Sequence, residues 1–317
     1  MTVSPRQSVS KPAAAPSLLL LIPAYNEAKR IGPTLRDYAE HFRKNYPGRW
    51  RILAVLNGCV DDTAEVVRRA AAEYPEIEMV DFPARIGKGG ALIEGLKRGK
   101  DFDLIGYVDA DGATPPEAFL DLVRRIDGAD CVIGSRWLPG SVLHIPQPTH
   151  RRFFSRVFHL LVEILFRMGI KDTQCGAKVM QREAVERIHP ALTIADMAFD
   201  INLLYSLKRA GFRIVEAPTE WTDQLGSTIK FGKASLAWFL SVLRLRLVYS
   251  PFYRWMAPLR PLEVWLYRKL GSPPPLSADR TRETICESCG ERNASQSGSA
   301  KAELPEKGGN SPPAPGQ

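Results

Sequence analysis

From Ser17 to Trp137 the chain alternates short apolar runs with longer amphipathic stretches, and no other feature limits its fold so strongly. "SLLLLIPAY", "WRILAVLN", "IEMVDF", "DLIGYVDAD" and "ADCVIGSRW" read as strands. Between them "AKRIGPTLRDYAEHFRKNY", "DDTAEVVRRAAAEY", "KGGALIEGLKRGK" and "PPEAFLDLVRRI" read as helices. Strands separated by crossover helices predict an α/β fold with a mostly parallel sheet flanked by helices. Ligands of such sheets gather at the carboxyl ends of the strands.

The polar residues follow that rule. Asn26 and Glu27, Asn57 and Asp61, Arg85 and Lys88, Asp109 and Asp111, and Ser135 and Arg136 each come where a predicted strand runs out. A polar strand end is ordinary by itself. Five in succession at one sheet edge predict a single shared pocket. In a straight strand, residues two apart on one face lie about 6.6–6.8 Å apart, so Asp109 and Asp111 need a turn at Gly112 to converge. Two oxygen ligands suit Mg²⁺ or Mn²⁺, which keeps water and takes the rest of its shell from substrate phosphates. Alone, the pair equally fits a loop whose acids are solvated or cap a helix beginning at Pro115. "NE" also fits a helix N-terminus, and one of Asp61 and Asp62 is expected to cap the helix near Ala64, freeing the other for a ligand. In "RIGKGGALIEG" the glycines beside Lys88 allow a phosphate to approach a helix N-terminus. The stretch is no Walker A loop, and the first strand lacks the G-x-G-x-x-G of dinucleotide folds.

The formal charge of +8 over 317 residues is concentrated. Lys230 to Lys269 carry eight bases against Glu263, and Arg151 to Lys171 carry five against Glu163. Both stretches are rich in Phe, Leu, Trp or Tyr, which predicts a membrane surface as partner and not nucleic acid. In "RRFFSRVFHLLVEILFRMG" Arg156, His159, Glu163 and Arg167 form one narrow stripe on an apolar helix. That helix lies partly in lipid, with Arg151 and Arg152 at the headgroups, or it is a core helix with snorkelling arginines. No apolar run reaches the roughly 18 residues needed to span a bilayer, and the N-terminus lacks a signal-peptide core. The five cysteines show no disulfide spacing. A cytoplasmic location, peripheral on the cytoplasmic face of a membrane, follows as the expectation. Residues 1–16 and 271–317 are expected to be disordered tails flanking a domain at 17–230 and an amphipathic segment at 231–270. The second tail holds a lone Cys286-x-x-Cys289, a weak zinc pattern, and a sequon at Asn293.

"PAYNE", "DDT", "GKGGA", "DAD", "GSR" and "DTQCGAK" together, in this order, resemble the family 2 glycosyltransferases of the GT-A fold, nearest the dolichyl-phosphate glucose and mannose synthases. "DTQCGAKVMQREAV", "AFDINLLY" and "EWTDQLGST" point to the β-glucosyltransferase branch. The resemblance implies that Pro23, Asn26 and Glu27 line a nucleotide pocket, with Asn57 and Lys88 beside it and Asp61 on base or ribose. It implies that Asp109 and Asp111 hold Mg²⁺ or Mn²⁺ and the sugar diphosphate. Arg136, with Arg151 or Arg152, would bind the acceptor phosphate, and Gln174 and Asp200 would lie near the sugar. Leu56 and Asn57 replace the family's acidic pair, which leaves UDP-glucose or GDP-mannose open as donor. Arg85 replaces a usual asparagine, and the family's N-terminal anchor is missing.

The expected reaction moves a hexose, glucose favoured, from a nucleotide sugar to a polyprenyl phosphate lipid with inversion. A phosphate monoester has its second pKa near about 6 and arrives ionised, so no strong base is needed. A soluble hydroxyl acceptor would need one, for which Asp200 is the candidate. A catalytically inactive basic membrane- or nucleic-acid-binding module is the alternative of another class. The sequence carries no sign of oligomeric state.

Overall fold

The computed structural model describes residues 15–144, 149–222 and 233–250, with 261, 262, 265 and 269. The side chains of residues 149–154, 233–238 and 248 are outside the described set. So are residues 1–14 and 270–317, with all of the predicted tails apart from Ala15 and Pro16, together with Cys286, Cys289 and Asn293, and most of the 231–270 segment.

Seven strands form one sheet in the order β3-β2-β1-β4-β7-β5-β8. They are β1 Leu18–Ala24, β2 Trp50–Asn57, β3 Ile77–Phe82, β4 Leu104–Tyr107, β5 Cys131–Ser135, β7 Lys178–Gln181 and β8 Ile214–Pro218. Short strands β6 Val142–Leu143 and β9 Glu220–Trp221 pair beside it. The crossover helices are α1 Ile31–Asn45, α2 Thr63–Glu73, α3 Gly87–Leu96 and α4 Pro116–Arg124. Then follow α5 Thr149–Phe166, α6 Arg182–Ile188, α7 Phe199–Arg209 and α8 Lys233–Val248.

β1 is buried along its whole length, because helices cover both of its faces. Leu18, Leu20 and Ile22 join Ile52, Ala54 and Leu56 in the core beneath α1, whereas Leu21 and Val55 face α3 at Gly95. This explains the uninterrupted apolar runs: a strand covered on both faces has no polar side to alternate. Under α1, Phe42 packs on Trp50 at 5.4 Å, Tyr38 at 5.7 Å and Phe119 of α4 at 6.2 Å between ring centroids.

One strand departs from the parallel pattern. β7 is antiparallel to both β4 and β5, with Lys178 opposite Tyr107 and Ile133. Its amino end therefore lies at the sheet edge where β4 and β5 end, and the loop before it, residues 172–177, enters the site the strand ends define.

Candidate active site

β4 stops at Tyr107, and the chain turns at Gly112, whose φ is +72°. The Asp111 carboxylate accepts from the Ala113 amide at 3.1 Å. Thr34 of α1 donates to the Ala110 carbonyl at 3.1 Å, and the Thr222 amide donates to the Ala113 carbonyl at 2.8 Å. The two acids thus sit on a loop pinned from both sides. Burial, then the charge of Asp109, pushes the Asp111 carboxyl above its usual range, as expected of two acids held together. A methyl group at Gly176 would stand 2.1 Å from Asp109 Oδ2, so only glycine lets the 172–177 loop close on that oxygen.

Behind the pair lies a buried chain of charges. Lys88 Nζ is 2.7 Å from Asp109 Oδ1 and 3.9 Å from Asp200 Oδ2. Lys178, fully buried, donates to Asp200 Oδ1 at 2.7 Å and to the Cys175 carbonyl at 2.6 Å, and the Tyr107 hydroxyl donates to the same Asp200 oxygen. Burial alone would raise the Asp200 pKa, but Lys178 and Lys88 outweigh it and hold the carboxyl below its usual range. These contacts weigh against Asp200 acting as a base. A base needs an accessible lone pair and a pKa near the working pH, whereas Asp200 is buried and tied to two ammonium groups. Lys178 and Tyr107 are absent from the sequence reading. Their one signal is a lysine inside the otherwise apolar "AKVM".

Three predicted nucleotide contacts turn out to join the β1 and β2 loops to each other. Asn57, 2% exposed, donates to the Ala24 carbonyl at 3.0 Å. Asn26, in left-handed backbone with φ +56°, accepts from the Val60 amide at 2.9 Å. Asp61 accepts from the Ala28 amide at 3.2 Å and from the Thr63 amide at 3.1 Å. Asn57 braces the two loops through its amide nitrogen, and Asp61, not Asp62, is the acid engaged at the start of α2. Pro23 is buried within β1. Glu27 does not cap α1, which begins four residues later, and it grips Arg30 through two bonds of 2.7 Å. Its carboxyl is raised by burial and, against the pull of Arg30, by Asp111 and Asp109, so it belongs to the same acidic field. Tyr25, which the sequence reading passed over, is 40% exposed and carries the Arg85 guanidinium 4.5 Å above its ring. A side chain at Gly89 would stand 2.3 Å from the Ile194 carbonyl, so close packing of α3 requires that glycine.

At the β5 end, Arg136 is held by Asp172. Nε and the backbone amide donate to Asp172 Oδ2 at 2.8 and 2.9 Å, and Nη2 donates to Oδ1 at 2.9 Å. Burial would raise the Asp172 pKa, but Arg136 overrides it and keeps the carboxyl low. Arg136, the expected clamp of an acceptor phosphate, thus has its charge matched by Asp172 inside the protein. Its guanidinium also lies 5.0 Å from the Trp221 ring centroid. Ser135 Oγ, Gln174 Nε2 and Trp221 Nε1 are buried without a hydrogen-bond partner among the described residues. Gln174 and Trp221 neighbour the Gly176 and Ala113 contacts of the acid loop. The side chains of Arg151 and Arg152 lie outside the described residues. His159 packs edge-on against Trp137 at 5.0 Å, away from any role as a base.

The candidate site therefore draws on the ends of β1, β2, β3 and β4 and on the loop entering β7. The profile of glycosyl transferase family 2 matches residues 20–189, more than half of the chain. The chain belongs to glycosyl transferase family 2. It is similar to a dolichyl-phosphate beta-glucosyltransferase of Trichomonas vaginalis, 32% identical over 72% of this chain and 71% of that one. A dolichyl-phosphate beta-glucosyltransferase of Dictyostelium discoideum is 34% identical over 73% and 74%. Among solved structures, glucosyl-3-phosphoglycerate synthase from Mycobacterium tuberculosis, in complex with Mn²⁺, uridine diphosphate and glucosyl-3-phosphoglycerate, shares the fold. Its TM-score is 0.54 at 16% identity, covering 73% of this chain and 80% of that one. The same enzyme with Mn²⁺, UDP-glucose and phosphoglyceric acid gives 0.55 at 17%, covering 74% and 80%. In this family 2 glycosyltransferase, an inverting enzyme, the matched stretch contains Lys88, the acid pair, Arg136, Asp172 and Lys178. Asp200 and Trp221 lie beyond it.

Proposed function

We propose that the protein transfers glucose from UDP-glucose to the phosphate of a polyprenol such as dolichol, inverting an α-linked donor to a β-linked lipid phosphate sugar. The observation that carries this reading is the pinned Asp109 and Asp111 loop at the sheet edge of a chain whose relatives are dolichyl-phosphate beta-glucosyltransferases. Asp109 and Asp111 would hold Mg²⁺ or Mn²⁺. The donor chemistry fits: two carboxylates on one pinned loop supply hard oxygen ligands and leave places for water and diphosphate oxygens. When bound, the cation would neutralise the charge growing on the departing nucleoside diphosphate.

The protein's own residues supply position. Tyr25 with Arg85 forms a flat, cationic shelf for the base, and Glu27 closes the acidic side of the pocket. Gln174 and Trp221, each with an unsatisfied buried N–H, are placed to meet sugar or acceptor oxygens when the site closes on them. The acceptor oxygen arrives ionised, so the fold must align it and need not deprotonate it. The burial of Asp200 favours this over a hydroxyl acceptor, because it disfavours the residue named as the base for such an acceptor.

A lipid acceptor calls for a membrane surface. Val157, Leu160 and Ile164 of α5 are 49%, 59% and 64% exposed at spacings of three and four, one helix face left open. No helix among the described residues is long and apolar enough to cross a membrane. The proposed site of action is peripheral, on the cytoplasmic face, in keeping with the free Cys59, Cys131 and Cys175.

The test is to incubate purified protein with Mg²⁺ or Mn²⁺, radiolabelled UDP-glucose or GDP-mannose, and a short polyprenyl phosphate, then extract into organic solvent. Label in the lipid from UDP-glucose is the expected result. Label only from GDP-mannose would replace the donor, and none from either would overturn the reading.

A further inference from the structure

We propose that Lys88 is a resident counter-ion of the cation site, holding Asp109 when the site is empty and passing to Asp200 when a divalent cation arrives. The inference rests on the assignment of Asp109 and Asp111 as cation ligands. Asp109 offers its two oxygens unequally. Oδ2 has Gly176 packed against one side, where a methyl group would stand at 2.1 Å, and Oδ1 is taken by Lys88 Nζ at 2.7 Å. A cation that binds Asp109 must therefore compete with the ammonium for one oxygen or be repelled by it at close range.

Lys88 has somewhere to go. Asp200 Oδ1 receives both the Tyr107 hydroxyl and the Lys178 ammonium, whereas Oδ2 accepts no hydrogen bond among the described residues and has Lys88 at 3.9 Å. A shift of about 1 Å would close that gap to the 2.7–2.9 Å of a charge-assisted bond, within reach of a flexible four-carbon stem. Lys88 is only 16% exposed, so leaving for solvent is the less open route. The charges also favour the exchange. Asp109, Asp111 and Asp200 against Lys88 and Lys178 leave one net negative charge, which a divalent cation would reverse. The ammonium is then drawn to the acid farthest from the cation.

A built-in competitor weakens cation binding to the empty protein and makes it depend on negative charge brought by a nucleoside diphosphate. Cation and donor would thus enter as linked ligands.

The test is a Mn²⁺ titration of the full chain, following the free-ion electron paramagnetic resonance signal at constant ionic strength, without nucleotide. Lys88→Met should bind Mn²⁺ about tenfold or more tighter than the unaltered protein. Asp200→Asn should weaken binding strongly while Lys88 is present and clearly less in the Lys88→Met background, where only its share of the field is lost. Such non-additivity separates movement between two acids from a fixed field, whose contributions add. Additive effects, or no tightening in Lys88→Met, would overturn the exchange. Asp111→Asn separates this from failure of the metal assignment: if it binds Mn²⁺ as the unaltered protein does, both readings fall. Where Asp200→Asn does not fold, Mg²⁺ titration of ¹⁵N-lysine protein follows the Lys88 ammonium resonance, identified by its loss in Lys88→Met. A saturable shift that disappears in Asp111→Asn is expected, and an unmoved resonance overturns the proposal.

Discussion

Arg136 and Asp172 show how the surroundings of a charge decide what it can do. With a bidentate carboxylate partner 2% exposed, the guanidinium has its charge matched and supports the 172–177 loop. Asp172→Ala would leave that charge buried and alone, and a loss of about 3–5 kcal/mol in urea unfolding is expected. Arg136→Met together with Asp172→Leu should cost clearly less, since neither charge then remains. Gly176→Ala tests the neighbouring contact: the methyl must displace Asp109, and kcat is expected to fall about 100-fold with the far-ultraviolet circular dichroism unchanged. Asp111→Asn should abolish turnover in the lipid-label assay and leave the melting transition in place. Turnover near that of the unaltered enzyme would remove the acid from the cation site. "DAD" could be read from the sequence because its residues are adjacent and carry their chemistry with them. The pairing of Arg136 with Asp172 could not, because the partners are 36 positions apart and nothing local links them.

Among the elements, β7 and α5 carry the most functional consequence. β7 is only four residues long and follows no crossover helix rhythm, so the alternation that reveals β1 to β5 passes over it. Its reversed direction brings Lys178 beside Tyr107 and places Gln174 and Gly176 at the site. α5 was compatible in sequence with a core helix or a lipid-facing one. Of its described apolar residues Val162 and Phe166 are buried, while Leu160 and Ile164 are open, which excludes the fully buried form. Leu160→Glu with Ile164→Glu is expected to reduce co-sedimentation with anionic phospholipid vesicles severalfold. Each exposed substitution should alter stability by no more than about 0.5 kcal/mol. Vesicle binding equal to that of the unaltered protein would remove α5 from the membrane contact. Phe42→Ala, at the centre of the aromatic cluster under α1, should cost about 3–5 kcal/mol without touching the site.

For the molecule as a whole, the buried carboxylates set the response to acid. Asp172 and Asp200 have folded pKa values below their unfolded ones, so their contribution is complete above the unfolded value of about 3.9 and is lost as pH falls through the lower folded values. Glu27 and Asp111 are raised and take up protons earlier in the folded state, which opposes that loss. Urea unfolding between pH 7 and 3 should therefore show the Asp172 and Asp200 contributions failing only below about pH 4. In Arg136→Met with Asp172→Leu the fall should be shallower.

By itself the sequence determined the layered α/β architecture, the edge of the sheet where chemistry would collect, and the acid pair at its centre. Each of these follows from periodicity or from residues close together in the chain. Tertiary structure alone decided how each charge is partnered. Asp200, Arg136 and Asp109 are equally polar in sequence, yet folding sets Lys178 and Tyr107 on Asp200, Asp172 on Arg136 and Lys88 on Asp109, partners that lie far apart in the chain. The direction of β7 was settled in the same way, because strand pairing depends on which neighbours remain to be bonded once β4 and β5 are in place.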